Sequence, residues 1–354
     1  MDFNLEVPEL SEEKFDNLKL VRRRFPPVPA ELVEFIKSGS NFIIAGHKEP
    51  DGDCIGSQLA LRSAITRLGK KASVLSAGPF KRTELRNYIS EFDTSQDYLA
   101  RAGEQPDGTR VIIVDCSDIE RTGDIRGTLE KYPRAVIDHH RSASHQKSSP
   151  GAPVYVDNEA PSCTILIYKL ISALSLKLTS EEATLLLFGL CTDTGFYRHL
   201  TEKNADVFEA AAKMIRYGAS PKKIFRITSG GKSLNSRILI GLILARAESH
   251  FDGRLLLSYE TLEEYNSFGI ESRDSDTLYQ LMMTIEGVEA VVIIRQERAD
   301  NCTVSFRSSD KINVMKIAVS FGGGGHKNAA GLSIKGEISN VKEKILESFK
   351  NIFD

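Results

Sequence analysis

The sequence predicts an α/β chain: an N-terminal domain on a mostly parallel sheet, joined by a helical connector to a smaller α+β domain. Three observations carry this. The length of 354 residues corresponds to about two domains. Between residues 41 and 217, short apolar runs alternate with segments of helical spacing, the pattern of buried strands and crossover helices. Beyond residue 234, the neighbouring runs VEAVVIIRQE and CTVSFRS read as two strands able to pair, flanked by helical segments.

The elements follow in order. Residues 1–38 read as a polar lead-in with an early helix. RRRFPPVPAEL interrupts it, because Pro26, Pro27 and Pro29 cannot continue a helix, and residues 29–37 then regain helical spacing. NFIIAG is a buried strand candidate ending in glycine, and 55–68 a helix stopped by Gly69. KASVLSA is a second strand. Residues 81–110 are polar, with a helix and then a loop over 103–109. VIIVD (111–115) and RAVID (134–138) are the third and fourth strands, and 162–174, 180–191 and 203–217 are helices. Residues 219–232, with Pro221 and Gly230-Gly231, form the connector. Beyond it come a helix over 234–250, the strand GRLLLSYE, a helix over 274–287, the paired strands, and short helices over 315–321 and 339–349.

Apolar residues make up 41% and charged residues 27%, ordinary for a globular chain. Lys and Arg number 46, Asp and Glu 48, so net charge is 46 − 48 = −2. That excludes a chain held on long nucleic acid by bulk charge, and leaves room for a local basic groove and a short anionic ligand. No apolar run approaches the roughly 18–20 residues of a membrane helix. The acidic start MDFNLEVPELSEEKFDN has no apolar core segment and is not read as a signal peptide, so a cytoplasmic protein is expected. Of the five cysteines (Cys54, Cys116, Cys163, Cys191 and Cys302), none forms a CxxC pair or has zinc-site spacing. They are expected to be small buried apolar residues in a reducing compartment.

Candidate chemistry collects at strand ends. His47, Asp51 and Asp53 lie in GHKEPDGDCIGS, directly after the first strand. Ligands of open α/β sheets bind outside the carboxyl ends of strands. Asp51 and Asp53 are two apart, so an extended loop projects both carboxylates to one side. Asp115 ends the third strand, where a carboxylate is costly to bury unless paired or bound to a cation. Asp138, His139 and His140 end the fourth, and Asp193 follows an apolar helix. A lone strand-end Asp is usually a cap or turn residue. Four segments with the same chemistry at one edge are not explained that way. Carboxylate and imidazole without thiolate suit Mn²⁺ or Fe²⁺, and Zn²⁺ less specifically. Five carboxylates and three histidines exceed the needs of one ion and fit a pair about 3.5–4 Å apart, the arrangement that hydrolyses phosphoesters.

FGGGGHKNAAG near the C-terminus is read as a turn rather than a linker, because it lies between a helical stretch and a strand. The bare amides of Gly323, Gly324 and Gly325, with His326, can approach a phosphate or a base edge. Arg307 and Ser308, ending CTVSFRS, are a second anion-binding candidate.

HKEPDGD, VIIVD, VIDHH, GLCTDTG and FGGGGHKNAAG, in this order, resemble the motifs of the DHH phosphoesterase family with its C-terminal DHH-associated domain. The resemblance runs from about residue 35 to the C-terminus. It is closest to the nanoRNase and pAp-phosphatase-like branch (bifunctional oligoribonucleases), which overlaps with cyclic-dinucleotide phosphodiesterases. It implies an N-terminal extension over 1–34, a metal-binding catalytic DHH domain over 35–218, a connector over 219–233 and a DHH-associated substrate-binding domain over 234–354. It further implies two Mn²⁺: His47 and Asp51 holding one, Asp53, His139 and Asp193 the other, and Asp115 bridging. His140 would face the scissile phosphate and Asp138 would orient the histidines. Arg307, Ser308, Gly323, Gly324, Gly325 and His326 would bind the distal nucleotide across an interdomain cleft. The expected activity is Mn²⁺-dependent hydrolysis of short single-stranded RNA, linear dinucleotides such as pApA, and pAp. The alternatives are a cyclic di-AMP phosphodiesterase and a non-catalytic protein binding nucleotides or RNA ends. A homodimer without membrane attachment is expected on the same analogy.

Overall fold

The computed structural model describes residues 25–94, 98, 108–140 and 152–353. The early helix expected before Pro26 and most of the loop over 103–109 lie outside the described residues. The chain divides into two compact units, 1–231 and 232–354. Among the described residues, no helix is long and apolar enough to cross a membrane.

The first unit opens with α1 (Ala30–Ser38), whose Leu32 and Ile36 are buried in its core. Strand β1 (Asn41–Ala45) leads into α2 (Gly52–Arg67) and β2 (Lys71–Leu75). A 3₁₀ segment (Thr83–Glu91) precedes β3 (Thr109–Val114). A second one (Ile119–Ile125) and the single turn α3 (Arg126–Leu129) then lead to β4 (Arg134–Asp138) and β5 (Val154–Val156). Helices α4 (Cys163–Ala173), α5 (Ser180–Asp193), α6 (Ala205–Arg216) and α7 (Pro221–Ser229) complete the unit.

The five strands pair in parallel in the order β2-β1-β3-β4-β5. The strands are near-continuous Ile, Val and Ala because both faces are covered. Phe42, Ile44, Ile112, Val114 and Ile137 pack with the helices on one face; Ile43, Val111 and Ile113 join Ile125 and Leu129 on the other. The chain turns from β1 to β2 on one side and then starts β3 on the other, so β1 and β3 flank the point where the strand order reverses. That is where an open α/β sheet leaves a crevice.

The second unit contains α8 (Leu234–Ala245), β6 (Glu248–His250), β7 (Leu255–Glu260), α9 (Leu262–Phe268), α10 (Ser275–Met283), β8 (Ala290–Arg298) and β9 (Asn301–Ser308). Helix α11 (Val314–Ser320), strands β10 (Gly324–His326) and β11 (Ala329–Lys335), and α12 (Ile338–Phe353) end it. Its six-stranded sheet runs β10-β11-β9-β8-β7-β6, with β7 and β8 parallel and the other pairs antiparallel. Alternate residues of β7 and β8 go to opposite faces, so Leu257 and Ile294 pack with Phe349 and Ile317, while Leu256 and Ile293 pack with Leu239 and Leu278.

Three expectations are corrected. The first helix of the parallel sheet starts at Gly52 rather than Ile55, because Asp51 caps it by accepting the Asp53 and Cys54 amides, both at 3.1 Å. The helix expected over 234–250 ends at Ala245, and Glu248–His250 instead pairs with β7. The glycine-rich segment is not a bare turn: Gly324, Gly325 and His326 are an edge strand facing Gly331, Ala330 and Ala329.

Candidate metal centre

Each sequence-predicted residue of the first unit reaches one place. His47 follows β1, Asp115 follows β3 and Asp138 ends β4, all at the carboxyl edge of the sheet. Asp51 and Asp53 enter from the start of α2, and Asp193 from the end of α5. The two helices cross closely because their contact is lined by glycine. A Cβ at Gly56 would lie 2.5 Å from the Leu185 carbonyl, and one at Gly189 3.0 Å from Asp53 Cα.

Asp115 is the hub. Its backbone adopts a left-handed conformation, φ 60°, which Asp tolerates better than most residues, and its amide donates to the Ile137 carbonyl at 2.9 Å. One oxygen, Oδ2, lies 3.4 Å from His47 Nε2. The other, Oδ1, lies 3.4 Å from His139 Nε2 and 3.7 Å from His140 Nδ1. Burial would raise this carboxyl, but the imidazoles of His139 and His47 facing it dominate and hold it at about 2.

The imidazoles of His47 and His139 are oriented from behind. His47 Nδ1 lies 2.8 Å from the Lys48 carbonyl, and His139 Nδ1 3.1 Å from the Ala160 carbonyl. A carbonyl accepts only from N–H, so Nδ1 carries the proton in each and Nε2 points into the cluster. His47 Nε2 is 4.0 Å from Asp51 Oδ1. His139 Nε2 is 3.4 Å from Asp193 Oδ2 and 3.7 Å from Asp53 Oδ2. Burial lowers His47, yet the hydrogen bond with Asp115 overrides it and pushes the group up to about 12. Burial likewise lowers His139, and Asp115, Asp53 and Asp193 push it up to about 10.

Asp53 is fully buried. Its Oδ2 accepts the Cys163 amide at 2.5 Å and its Oδ1 the Thr164 amide at 2.9 Å, at the N-terminus of α4. Burial, then the charges of Asp115 and Asp193, push its carboxyl well up. Burial also pushes Asp193 up to about 6. Asp138 acts from behind the cluster. Its Oδ1 accepts the His139 and His140 amides and His140 Nδ1, at 2.8, 3.1 and 2.8 Å, and its Oδ2 accepts the Ser117 hydroxyl at 2.5 Å. Burial raises it, but His140 and Ser117 hold it below the usual range. This engages His140 Nδ1 and leaves Nε2 of that half-exposed ring for another group.

The residues fit divalent cations. Asp115 Oδ1 and His139 Nε2 are buried with no hydrogen-bond partner, although each is aimed into the cluster. Crowded carboxylates of this kind are stabilised when a cation replaces the missing partners. Among the described residues three groups of donors converge: His47, Cys54 and Asp115; Asp115, His139 and His140; and Asp53, His139 and Asp193.

Sequence reasoning missed four neighbours. Cys54 joins the His47 group, and Ser117 holds Asp138. Lys48 and Arg121 border a cavity of about 240 Å³ together with His47 and Glu49. Glu49 is engaged by Lys81 at 2.7 Å, which leaves a net positive lining. Nothing in the spacing of DIERTG marked Arg121. It arrives because the Lys48 amide donates to the Arg121 carbonyl at 2.7 Å.

In the second unit, Arg307 lies opposite Ala329, and Ala329 opposite His326. Paired residues share a face, so Arg307 and His326 stand in one row with only a methyl side chain between. The Arg307 guanidinium stacks 4.7 Å from the Tyr279 ring centre. Ser308 differs from expectation: its buried hydroxyl donates to the Ile312 carbonyl at 2.8 Å and is spent within the fold.

A parallel sheet with carboxylate and imidazole groups gathered at its switch point defines an α/β protein with a candidate metal-binding centre. Residues 41–190 match the DHH family, N-terminal domain, and residues 255–354 match the DHHA1 domain. The chain belongs to the DHH family and carries a C-terminal DHHA1 domain; it is a DHH-family phosphoesterase. It is similar to the bifunctional oligoribonuclease and PAP phosphatase NrnA of Thermus thermophilus, at 29% identity over 313 residues, covering 87% of this chain and 88% of that protein. It is also similar to the cyclic-di-AMP phosphodiesterase GdpP of Bacillus subtilis, at 26% identity over 94% of this chain, and spans about half (51%) of that protein. A crystal structure of an exopolyphosphatase-related protein from Bacteroides fragilis shares the fold, with TM-score 0.73 and 22% identity over 91% of this chain and 96% of that one.

Proposed function

We propose that the chain is a Mn²⁺-dependent phosphoesterase that hydrolyses short oligoribonucleotides and linear dinucleotides such as pApA, with pAp as a further substrate. The observation that carries the two-ion reading is Asp115, whose two oxygens face histidines on opposite sides, His47 and His139. In this reading His47, Asp51 and Asp115 hold one ion, and Asp53, His139, Asp193 and Asp115 the other. The imidazole–carboxylate set favours Mn²⁺ among common divalent cations. Held by these residues, a metal pair would supply a water of lowered pKa and positive charge for the phosphoryl oxygens.

The chain's own groups do the rest. His140, held through Nδ1 by Asp138, presents Nε2 to the scissile phosphate. Lys48 and Arg121 add positive charge beside His47 for a second phosphate. Arg307 and His326 hold the distal nucleotide in the second unit, with the amides of Gly323, Gly324 and Gly325 beside them. Likeness to NrnA over most of both chains supports short RNA and pAp over other phosphoesters. A homodimer is part of the same proposal. The second reading, cyclic di-AMP hydrolysis, draws on the likeness to GdpP, of which the chain spans about half.

The test is hydrolysis of pApA, pAp, a short oligoribonucleotide and cyclic di-AMP side by side with Mn²⁺, using Asp115→Asn as control. Turnover of the linear substrates, lost in Asp115→Asn, is expected. Preferential cleavage of cyclic di-AMP favours the second reading. Full turnover by Asp115→Asn overturns the metal assignment.

A further inference from the structure

Cys54 has the sequence profile of a small packing residue, and its place in the fold is different. It occupies the first turn of α2, where its amide is tied to Asp51 Oδ1 at 3.1 Å. That turn directs the thiol at the end of β1. A Cβ on Gly46 would lie 2.1 Å from Cys54 Sγ, so the glycine before His47 is what makes room for the sulfur. The sulfur, a His47 nitrogen and an Asp115 oxygen all lie within 4.8 Å of one another. Metal–sulfur bonds of about 2.3 Å and metal–nitrogen bonds of about 2.0–2.1 Å let one ion bridge such a group after small side-chain adjustments.

The neighbours leave the sulfur available. The Gln58 amide group lies 3.4 Å from the sulfur; turned so that it donates to the Leu75 carbonyl and accepts from the Gly46 amide, both at 3.2 Å, it presents its oxygen to the thiol and can hold the S–H without blocking the sulfur lone pairs. Asp51, the other acid near His47, already spends one oxygen on the helix cap, and that oxygen is 4.0 Å from His47 Nε2. The remaining buried cysteines are placed otherwise. Cys163 Sγ donates to the Ile137 carbonyl at 3.4 Å and Cys191 Sγ to the Tyr197 hydroxyl at 3.7 Å. Neither belongs to a donor group, and nor do Cys116 and Cys302.

We propose that Cys54 is a metal ligand that the His47 site offers to thiophilic divalent cations, giving a sulfur–nitrogen–oxygen site for Zn²⁺, Co²⁺ or Cd²⁺. Mn²⁺, which prefers oxygen and nitrogen donors, is held by His47 and the carboxylates with the thiol still protonated. When a thiophilic ion binds, the sulfur–metal bond forms as the S–H proton leaves to solvent; no electron changes hands. The site therefore sorts metals by the sulfur. The inference rests on the metal-centre part of the proposed function and on none of its substrate assignments.

The experiment is titration of the reduced full chain with Co²⁺, following sulfur-to-cobalt charge-transfer absorption in the near ultraviolet while bound metal is measured by equilibrium dialysis. The band is expected in the unaltered protein, lost in Cys54→Ala, and kept in Cys191→Ala. A band that survives Cys54→Ala, or its absence with Co²⁺ bound, overturns the proposal. X-ray absorption of the Zn²⁺-loaded unaltered protein needs no variant. A sulfur shell at about 2.3 Å is expected, and a shell of nitrogen and oxygen alone overturns the proposal. Hydrolysis of pApA with Mn²⁺ is measured in parallel. Its failure strikes the substrate reading and leaves the sulfur result standing.

Discussion

Arg67 and Glu182 tie together the two helices that deliver Asp53 and Asp193. Arg67 Nη1 donates to both Glu182 oxygens, at 2.9 and 2.7 Å. The carboxylate is fully buried and also accepts the Ser63 hydroxyl at 2.8 Å and the Thr179 amide, at the start of α5, at 2.9 Å. Arg67→Ala leaves that carboxylate short of its charge partner. The expected cost is about 3 kcal/mol, the low end for a broken buried pair, since Arg67 is itself a third exposed. Urea denaturation checks it. An unchanged midpoint would show that the pair contributes nothing to stability.

Metal should report on the cluster through stability. Asp115 Oδ1 and His139 Nε2 lack partners, so an ion bound to the folded state alone stabilises it by about 2.7 kcal/mol at a hundredfold excess over Kd. Mn²⁺ is expected to raise Tm, EDTA to reverse the rise, and Asp115→Asn to abolish most of it. Equal Tm with and without Mn²⁺ in the unaltered protein would contradict a cluster built for cations.

Lys48 and Arg121 flank the cavity beside His47, and Glu49 is neutralised by Lys81. Losing either cation should weaken ground-state binding of a phosphate away from the reacting one. Lys48→Ala and Arg121→Ala are expected to raise KM about tenfold, the effect of roughly 1.4 kcal/mol, with kcat largely kept. Steady-state kinetics on pApA check this. A fall in kcat at constant KM would place these residues on the reacting phosphate.

The strand ends were legible in the sequence because an acid or histidine after four or five buried apolar residues has few structural explanations. Asp115, Asp138 and His139 stood out for that reason, and all lie where a parallel sheet puts its ligands. What was illegible was set by tertiary pairing. Residues 246–250 contain no helix breaker, and only the ladder with β7 turns Glu248–His250 into a strand. Arg121 and Lys48 meet through a backbone hydrogen bond between separate loops, which no local spacing encodes. Ser308 looked like an anion ligand beside Arg307. Strand alternation sends its neighbour to the opposite face, over Tyr279, and buries Ser308, so its hydroxyl satisfies the Ile312 carbonyl instead.

Acid should unlock one contact in the second unit. Asp274 caps α10 and lies 2.9 Å from Arg237 and 3.9 Å from Lys232. Burial raises its carboxyl, but Thr277, Lys232 and Arg237 together hold it below the ordinary value. A carboxyl depressed in the folded state binds its proton more readily when unfolded. Its contribution is therefore complete above an unfolded value of about 3.9 and is lost as pH falls through the lower native value. Asp274→Asn keeps a capping oxygen and removes the charge. The stability gap between the two proteins should be widest near neutrality and narrow below about pH 4. Urea midpoints measured across that range test it; a gap constant with pH would mean the charge contributes nothing.

The glycine hairpin permits a contrast within one strand. Gly325 has φ 140°, and a Cβ there would meet the Ala329 carbonyl at 2.5 Å and Ala330 Cα at 2.6 Å, both backbone atoms that cannot swing aside. Gly324, one residue earlier, has open space at the same point. Gly325→Ala must therefore push β10 away from β11 and carry His326 out of its row with Arg307, whereas Gly324→Ala leaves the pairing intact. The expected outcome is a lower Tm and a raised KM for Gly325→Ala, with Gly324→Ala near the unaltered protein in Tm. If both glycines tolerate alanine equally, the close approach of the two strands is not what the run of glycines is for. The amides of Gly323, Gly324 and Gly325 would then have to explain it through direct contact with the substrate.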